Sequence, residues 1–387
     1  MSSPIYTQEK APLLPLNSEE ECQRLDCYKN KLYKRKYKNQ TIMVVLFIIF
    51  YSFYNGYHES LLNSARGNKN VETSGTYNTI NSAQDLSTLD TFSGLVFEDQ
   101  VDELEYCREK PQIPYNGPSI FEFDSEDFPK LSVSENTKYY RGQSVSVVGG
   151  KANVYEDKSL SKVTVEFILK FNRDELQDLY YIEKIEHTES GLYELKLKNN
   201  DQRVSGCVTI DINVGVPTVA ALDNFSLSVH NANVNLRKGL TFKELAISVA
   251  NGHVEFGEGI STAKTGFALA NGHVSGVIDT LSDELHLSMS NGRADVKIKE
   301  IDTSVDIPIV FKASNGHIDL EVPTTFKSTF SLTAMNGRRI VESSVPEDIH
   351  SKTSRWGPTT GYYGDDAQVK NSISLTSYNG RIRLNYA

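Results

Sequence analysis

Tryptophan is almost missing from this chain: one residue in 387, beside four Met and four Cys. With 20 Tyr against so few of the usual helix-core fillers, the composition suits strands better than packed helices. Positive charge is also scarce. Forty Lys and Arg face 50 Asp and Glu, a net of −10, which argues against nucleic acid as a partner. Several enzyme signatures are absent too. The sequence has no Gly-x-Ser-x-Gly elbow, P-loop, dinucleotide fingerprint or zinc-protease helix, so no cofactor is expected.

Long apolar runs are absent except one. Ile42 to Phe53 is apolar, and the segment 41–57 reaches the short end of what a bilayer needs, ~17–25 residues. Tyr51, Phe53, Tyr54 and Tyr57 fit an aromatic belt at its exit. Lys29, Lys31, Lys34, Arg35, Lys36 and Lys38 precede it, while only Arg66 and Lys69 follow closely. This asymmetry places the N-terminus in the cytosol and the remainder across the membrane, a type II signal anchor. A cleaved signal peptide is the competing reading. It would need an n-region of nearly forty residues, and no small-residue cleavage site follows the run. The short span fits a thin endomembrane better than a thick plasma membrane. A vacuolar, lysosomal or other endomembrane location is therefore expected first, and the cell surface second.

The flanking segments have distinct characters. Residues 1–40 read as a disordered cytosolic tail. Within it Glu9, Leu13 and Leu14 resemble an acidic dileucine sorting signal. That resemblance implies an adaptor complex as cytosolic partner, reading two adjacent apolar side chains and an acid. Residues 58–130 read as an acidic stalk, with twelve Asp or Glu between Asp85 and Asp127 against Arg108 and Lys110. Cys22 and Cys27 would stay reduced in the cytosol. Cys107 and Cys207 fall on the oxidising side and are candidates for a disulfide. Asn224-Phe225-Ser226 is the one glycosylation sequon on that side. Asn39-Gln40-Thr41 faces the cytosol and is expected to stay unused.

The residues from 131 to 387 carry a repeat. Asn recurs at 231, 251, 271, 291, 315, 336 and 379, and six of these seven are followed by Gly. Gly252, Gly272 and Gly292 are twenty residues apart; Gly316, Gly337 and Gly380 follow at steps of 24, 21 and 43. Such a period signals stacked units. Within one unit the apolar parity flips at Asn-Gly: Leu285, Leu287 and Met289 before it, Ala294, Val296 and Ile298 after it. Strand side chains alternate, so a flip marks a corner or turn, and Gly supplies the backbone freedom it needs. Worn copies at Ser144–Val154 and Val204–Ile212, the latter with Ser205-Gly206 in the Asn-Gly position, suggest an earlier start.

Two all-β folds satisfy this pattern. Asn-Gly hairpins would build an antiparallel meander. Alternatively each ~20-residue unit is one coil of a parallel β-helix, or β-solenoid, whose Asn side chains ~4.8 Å apart bond along the axis as a ladder. The second is favoured, because hairpins would readily exchange Asn-Gly for Asp-Gly or Gly-Gly. On this reading the 43-residue step holds two coils and an insertion around Trp356, Tyr362 and Tyr363. That insertion is a candidate ligand loop or, alternatively, a self-anchoring one.

The alternating strand, Asn-Gly, His or Arg, then Val pattern resembles the adhesin-like β-solenoid domains of unknown function found in bacteria, with related domains in fungal membrane proteins. The resemblance implies architecture more than activity: a non-catalytic binding or structural module whose ligand is an unknown protein or glycan. The alternative is a polysaccharide-active β-helix enzyme of the secretory pathway or cell wall. Glycoside hydrolysis needs paired carboxylates, and Asp365-Asp366 with Arg381-Ile382-Arg383 lacks the intervening Gly-His-Gly of pectin-degrading β-helices. The residues after each Gly, His253, His273, Arg293, His317, Arg338 and Arg381, would stack as an outward column. That column is either a cationic stripe or an ordinary polar row. It carries no third ligand at metal-site spacing.

Overall fold

The computed structural model describes residues 107, 109–137, 144–200, 204–218, 222–354, 357–365 and 369–387. The tail with Glu9, Leu13 and Leu14, the apolar segment 41–57, most of the expected stalk and Trp356 lie outside the described residues. Among the described residues no helix is long and apolar enough to cross a membrane. They are nearly all β, and their helical elements are 3-10 turns at Asp174–Leu176 and Pro346–Asp348.

Eighteen strands join one sheet. The first nine are β1 (Ile113–Pro114), β2 (Ile120–Phe123), β3 (Lys130–Asn136), β4 (Ser144–Val147), β5 (Lys151–Glu156), β6 (Val163–Phe171), β7 (Tyr180–His187), β8 (Leu192–Asn199) and β9 (Ser205–Val216). The centre is β10 (Asn224–Leu236), β11 (Thr241–Ile301) and β12 (Pro308–Val322). Then come β13 (Ser328–Asn336), β14 (Arg339–Ser343), β15 (Ile349–Thr353), β16 (Thr359–Tyr363), β17 (Ser372–Asn379) and β18 (Ile382–Tyr386).

At the centre, repeat pairs with repeat in parallel. Val229 lies beside Val249, Asn231 beside Asn251 and Val234 beside Val254. Asn291 lies beside Asn315 in the same way. β11 runs for 61 residues and contains three Asn-Gly pairs within its length. The parity flip sits at each of them. Leu245, Ile247 and Val249 are buried before Asn251-Gly252, and Val254 and Phe256 after it. In-register pairing stacks like on like inside: Leu287, Phe311, Leu375 and Leu332 form one buried column, and Ala294, Ile318 and Ile382 another. Each of the Leu, Ile and Phe side chains contributes about 1.5–3 kcal/mol by leaving water.

Glycine is required at the corner by the neighbouring repeat. A Cβ on Gly272 would sit 1.7 Å from the Gly252 carbonyl oxygen, and one on Gly292 would sit 1.7 Å from that of Gly272. Their φ angles, 153° and 142°, also lie where L side chains are strained.

The two ends are not assembled in chain order. β17 and β18, the last strands, pair in parallel with β12 on one side and with β13 and β14 on the other. At the opposite end β3 and β5 lie between β10 and the pair β8 and β9. Antiparallel strands then cover each end. β6 lies on β9, β7 on β8, and β1 and β2 on β6. At the far end β16 lies between β13 and β15.

Two expectations change here. The stalk does not extend to residue 130, since β1 and β2 are strands of the sheet, and Phe123 is buried with its ring stacked 4.3 Å from that of Tyr193. Alternating apolar residues at Ile120–Phe123 outweigh the acidic composition around them. The 43-residue step does not hold two successive coils either. It holds β14, the antiparallel pair β15 and β16, and the return into β17.

Candidate functional site

The recurrent Asn side chains line one edge of the stack. Asn231 donates to the Val147 carbonyl at 3.0 Å. Asn251 donates to Asn231, Asn271 to Asn251 and Asn291 to Asn271, each at 2.8 Å. Asn315 donates to Asn291 at 3.0 Å and Asn379 to Asn315 at 2.6 Å. Asn336 closes the series by donating to Asn379 at 2.8 Å. An amide both donates and accepts, so each inner member serves two neighbours at once. Such a chain fixes register, because a one-residue slip would break every rung.

Beside the ladder runs the outward column, in spatial order His253, His273, Arg293, His317, Arg381 and Arg338. It is not a uniform cationic stripe. Asp295 takes both His273, at 2.8 Å, and Arg293, at 2.5 Å. His317 accepts the Arg381 backbone N–H on Nδ1 at 3.0 Å, which in the neutral ring leaves the proton on Nε2. The next rows alternate in sign. Lys297 holds Glu321 at 2.6 Å, and Arg383 holds Glu342 at 2.8 Å. The Lys297 hydrogen bond keeps the Glu321 carboxyl below its ordinary range against partial burial, with help from Asn385. The face is thus laced by ion pairs between repeats, and each exposed pair adds only ~0–1 kcal/mol.

The opposite outward face is made of small residues. Ser226, Ser228, Ala246, Ser248, Ala268 and Ser288 are neighbours there, all between buried side chains. Lys312, beside Ser288, and Glu244, beside Asn224, carry the charge at its margins.

The other sequence candidates fall in different places. Cys107 and Cys207 form a disulfide with Cα atoms 5.5 Å apart. Asn224 opens β10, and its amide nitrogen donates to Glu244 at 2.9 Å. Tyr362 and Tyr363 lie in strand β16 rather than in a loop. Tyr363 is fully buried, stacked on Tyr386 with ring centroids 4.0 Å apart. Tyr362 stacks on His350 at 4.5 Å. Their alternation within β16 turns one ring to the core and the other to the adjacent strand β15. Asp365 is exposed beside this strand, and Asp366 lies outside the described residues.

Sequence reasoning missed a groove at the far end of each repeat from the ladder. Its volume is about 620 Å³, and its lining includes Tyr155, Lys158, Arg237, Lys238, Gly239 and Gly259. The only local signal was the pair of glycines, twenty residues apart but out of phase with Asn-Gly.

Residues 193–387, half of the chain, match the family model described as "Domain of unknown function (DUF7330)". The chain belongs to this family. The matched region begins in β8, so β1 to β7 precede it, including the β3 and β5 strands lodged between β8–β9 and β10. No curated protein matches the chain. Three solved structures overlap it at low similarity. A "putative cell adhesion protein" from Clostridium sporogenes has 11% identity and a TM-score of 0.30, covering 69% of this chain and 98% of that one. A "putative adhesin" from Bacteroides fragilis has 11% identity and a TM-score of 0.32, covering 71% and 100%. Another from Parabacteroides merdae has 13% identity and a TM-score of 0.28, covering 70% and 97%. At these scores the overlaps settle neither fold nor ligand.

Proposed function

We propose that this chain is a single-pass type II membrane protein whose lumenal or extracellular head is a β-solenoid. The head acts as a non-catalytic, adhesin-like binding or structural module. The observation that carries this reading is the ladder. A continuous series of Asn-to-Asn bonds from Asn231 to Asn336 locks parallel repeats into one stiff array. Such an array holds its outward side chains in fixed rows, which is what a surface-binding module needs. The disulfide between Cys107 and Cys207 supports an oxidising location for the head. Segment 41–57 is the anchor in this proposal. Glu9, Leu13 and Leu14 direct the protein to a vacuolar or lysosomal membrane through an adaptor complex.

Two measurements test it. Full-length protein in nanodiscs, passed over arrays of cell-wall glycans and cell-surface proteins, is expected to show saturable binding without turnover. Cleavage of an arrayed polysaccharide would move the protein to the enzyme class. A fluorescently tagged chain is expected at the vacuolar or lysosomal membrane, and Leu13→Ala/Leu14→Ala at the surface. If both reach the surface, the sorting assignment is wrong.

A further inference from the structure

The groove opposite the ladder is built by three features of the chain. The first is a pair of adjacent glycines. Gly239 and Gly259 sit side by side, the Gly239 N–H donating to the Gly259 carbonyl at 3.1 Å, with φ angles of 91° and 84°. Side chains are disfavoured at both positions, and the carboxylates of Glu156 and Asp279 lie over the two glycines, Asp279 accepting the Gly259 N–H. The second feature is an aromatic wall. The Tyr155 ring stands at the end of β5 with the Arg237 guanidinium 5.5 Å from its centre. An Arg stacked in this way keeps its hydrogen-bonding edge free for a ligand.

The third feature is a local excess of positive charge on an acidic protein. Among the described residues, Lys158, Arg237 and Lys238 have no carboxylate partner, although all three line the groove. Glu156, Glu258 and Asp279 also line it. Asp279 is bound by Lys299 at 3.0 Å, and Glu258 approaches the same ammonium at 3.9 Å. Lys299 can neutralise one of these two, so the lining as a whole carries four cations against three carboxylates. On the ladder side His273, Arg293, Lys297 and Arg383 are held in ion pairs.

We propose that this groove binds an acidic polysaccharide beside the Tyr155 ring, with its sulfate or carboxylate groups on Arg237, Lys238 and Lys158. The inference rests on the reading of the head as a binding module and names its ligand class. A volume of about 620 Å³ is within the ordinary range of ligand sites. The recess crosses β5, the turn after β10 and successive repeats of β11, so it is elongated along the stack. That shape suits a chain of sugars better than a flat membrane. Carboxylates at the far end of the groove have hydroxyl groups to accept from, while bidentate Arg contacts select the anions.

The test uses full-length protein in uncharged nanodiscs at physiological salt, with dextran sulfate and plain dextran as probes. Wild type is expected to bind dextran sulfate saturably and to bind dextran at least tenfold more weakly. R237S/K238S is expected to lose at least tenfold in affinity for dextran sulfate, and R237K/K238R to lose much less. K312S/K370S, which removes two exposed cations outside the groove, serves as the charge-matched control and is expected to bind like wild type. Equal loss in the control would mean unspecific attraction and overturn the proposal. So would stronger binding to anionic lipid vesicles than to dextran sulfate. If wild type binds an uncharged glycan or a protein but no dextran sulfate, only the acidic ligand is wrong. If it binds nothing on any array, the binding-module reading falls as well. An unchanged thermal midpoint in R237S/K238S separates lost binding from lost folding.

Discussion

Asn336 donates its side-chain amide to Asn379, not to Asn315, although Asn315 precedes it in the chain and Asn379 comes 43 residues later. Asn379 in turn donates to Asn315. The last repeat of the chain is therefore the penultimate layer of the ladder. The layer made by β13 and β14 rests on strands that are synthesised after it.

Removing residues 372–387 should therefore do more than shorten the stack. It deletes Ile373, Leu375, Ile382, Leu384 and Tyr386, all buried, and strips β13 of its parallel neighbour. At ~1.5–3 kcal/mol for each buried side chain, the loss rivals a whole domain's stability of ~5–15 kcal/mol. Hydrogen exchange on the truncated chain is expected to show β13 to β16 unprotected and β10 to β11 still protected. Continued protection of β13 would mean that the end layer stands without the inserted strands.

The ladder and the glycine column can be separated by neighbouring substitutions. Asn271→Ala removes a donor to Asn251 and an acceptor for Asn291, and should cost about 1–3 kcal/mol in urea unfolding. Gly272→Ala should be worse, because its Cβ would stand 1.7 Å from a carbonyl that the parallel pairing holds in place. A loss above ~4 kcal/mol, or failure to fold, is expected there, since strain at a special backbone position is among the mechanisms that reach such values. Equal effects of the two changes would mean that the layers can move apart.

How much of this was readable beforehand follows from what each residue must do. The period and the parity flip were legible because burial acts on every strand residue and the corner recurs in every unit. Asn-Gly was legible because Gly answers to the carbonyl of the next layer and Asn to the amide of the next layer. The order of layers was not legible. Parallel strands of similar pattern pair equally well with any neighbour, and nothing local in Ser372–Tyr386 says that it lies inside β13. The ends misled for a related reason. Val204–Ile212 did contain a repeat, but Ser205-Gly206 pairs with Ser144-Val145, ahead of the corner. Tyr362 and Tyr363 looked like a paired aromatic platform because alternation within a short strand leaves no trace in two adjacent identical residues. The groove escaped notice since its cations, Lys158 and Arg237-Lys238, come from segments far apart in sequence.

The Cys107–Cys207 bond links positions 100 residues apart. In the chain-entropy account, closing a loop of that length restricts the unfolded chain by about 4–5 kcal/mol. It also fixes the chain entry beside β9, where the Cys207 backbone N–H donates to Asn172 at 2.7 Å. Reduction with dithiothreitol, or Cys107→Ser, should lower unfolding free energy by ~2–4 kcal/mol. The first region to lose exchange protection should be β1, β2 and β6. A reduced protein as stable as the oxidised one would remove the disulfide from any role in holding that end closed.

His230 and Glu135 give the fold a pH dependence on its N-terminal side. Glu135 on β3 is nearly fully buried, and its carboxylate lies 3.0 Å from His230 Nδ1 and 2.9 Å from the His230 backbone N–H. Burial alone would lower the His230 pKa. The hydrogen bond and charge of Glu135 outweigh it, so the imidazole titrates above its ordinary value. A raised folded pKa means that this pair contributes fully below the unfolded value of ~6.5 and is lost as pH rises through the folded value. Glu194 and Glu321 act in the opposite sense. Their pKa values are lowered, so their contribution fades only as pH falls through those lowered values. Burial opposes the shift of Glu194, and its bonds to Lys196 and His187 exceed it. Thermal midpoints measured across the range should therefore be highest on the mildly acidic side of neutrality. His230→Gln should flatten the fall on the alkaline side and leave the acid side intact. If the variant falls with rising pH as wild type does, the dependence arises from groups other than this pair.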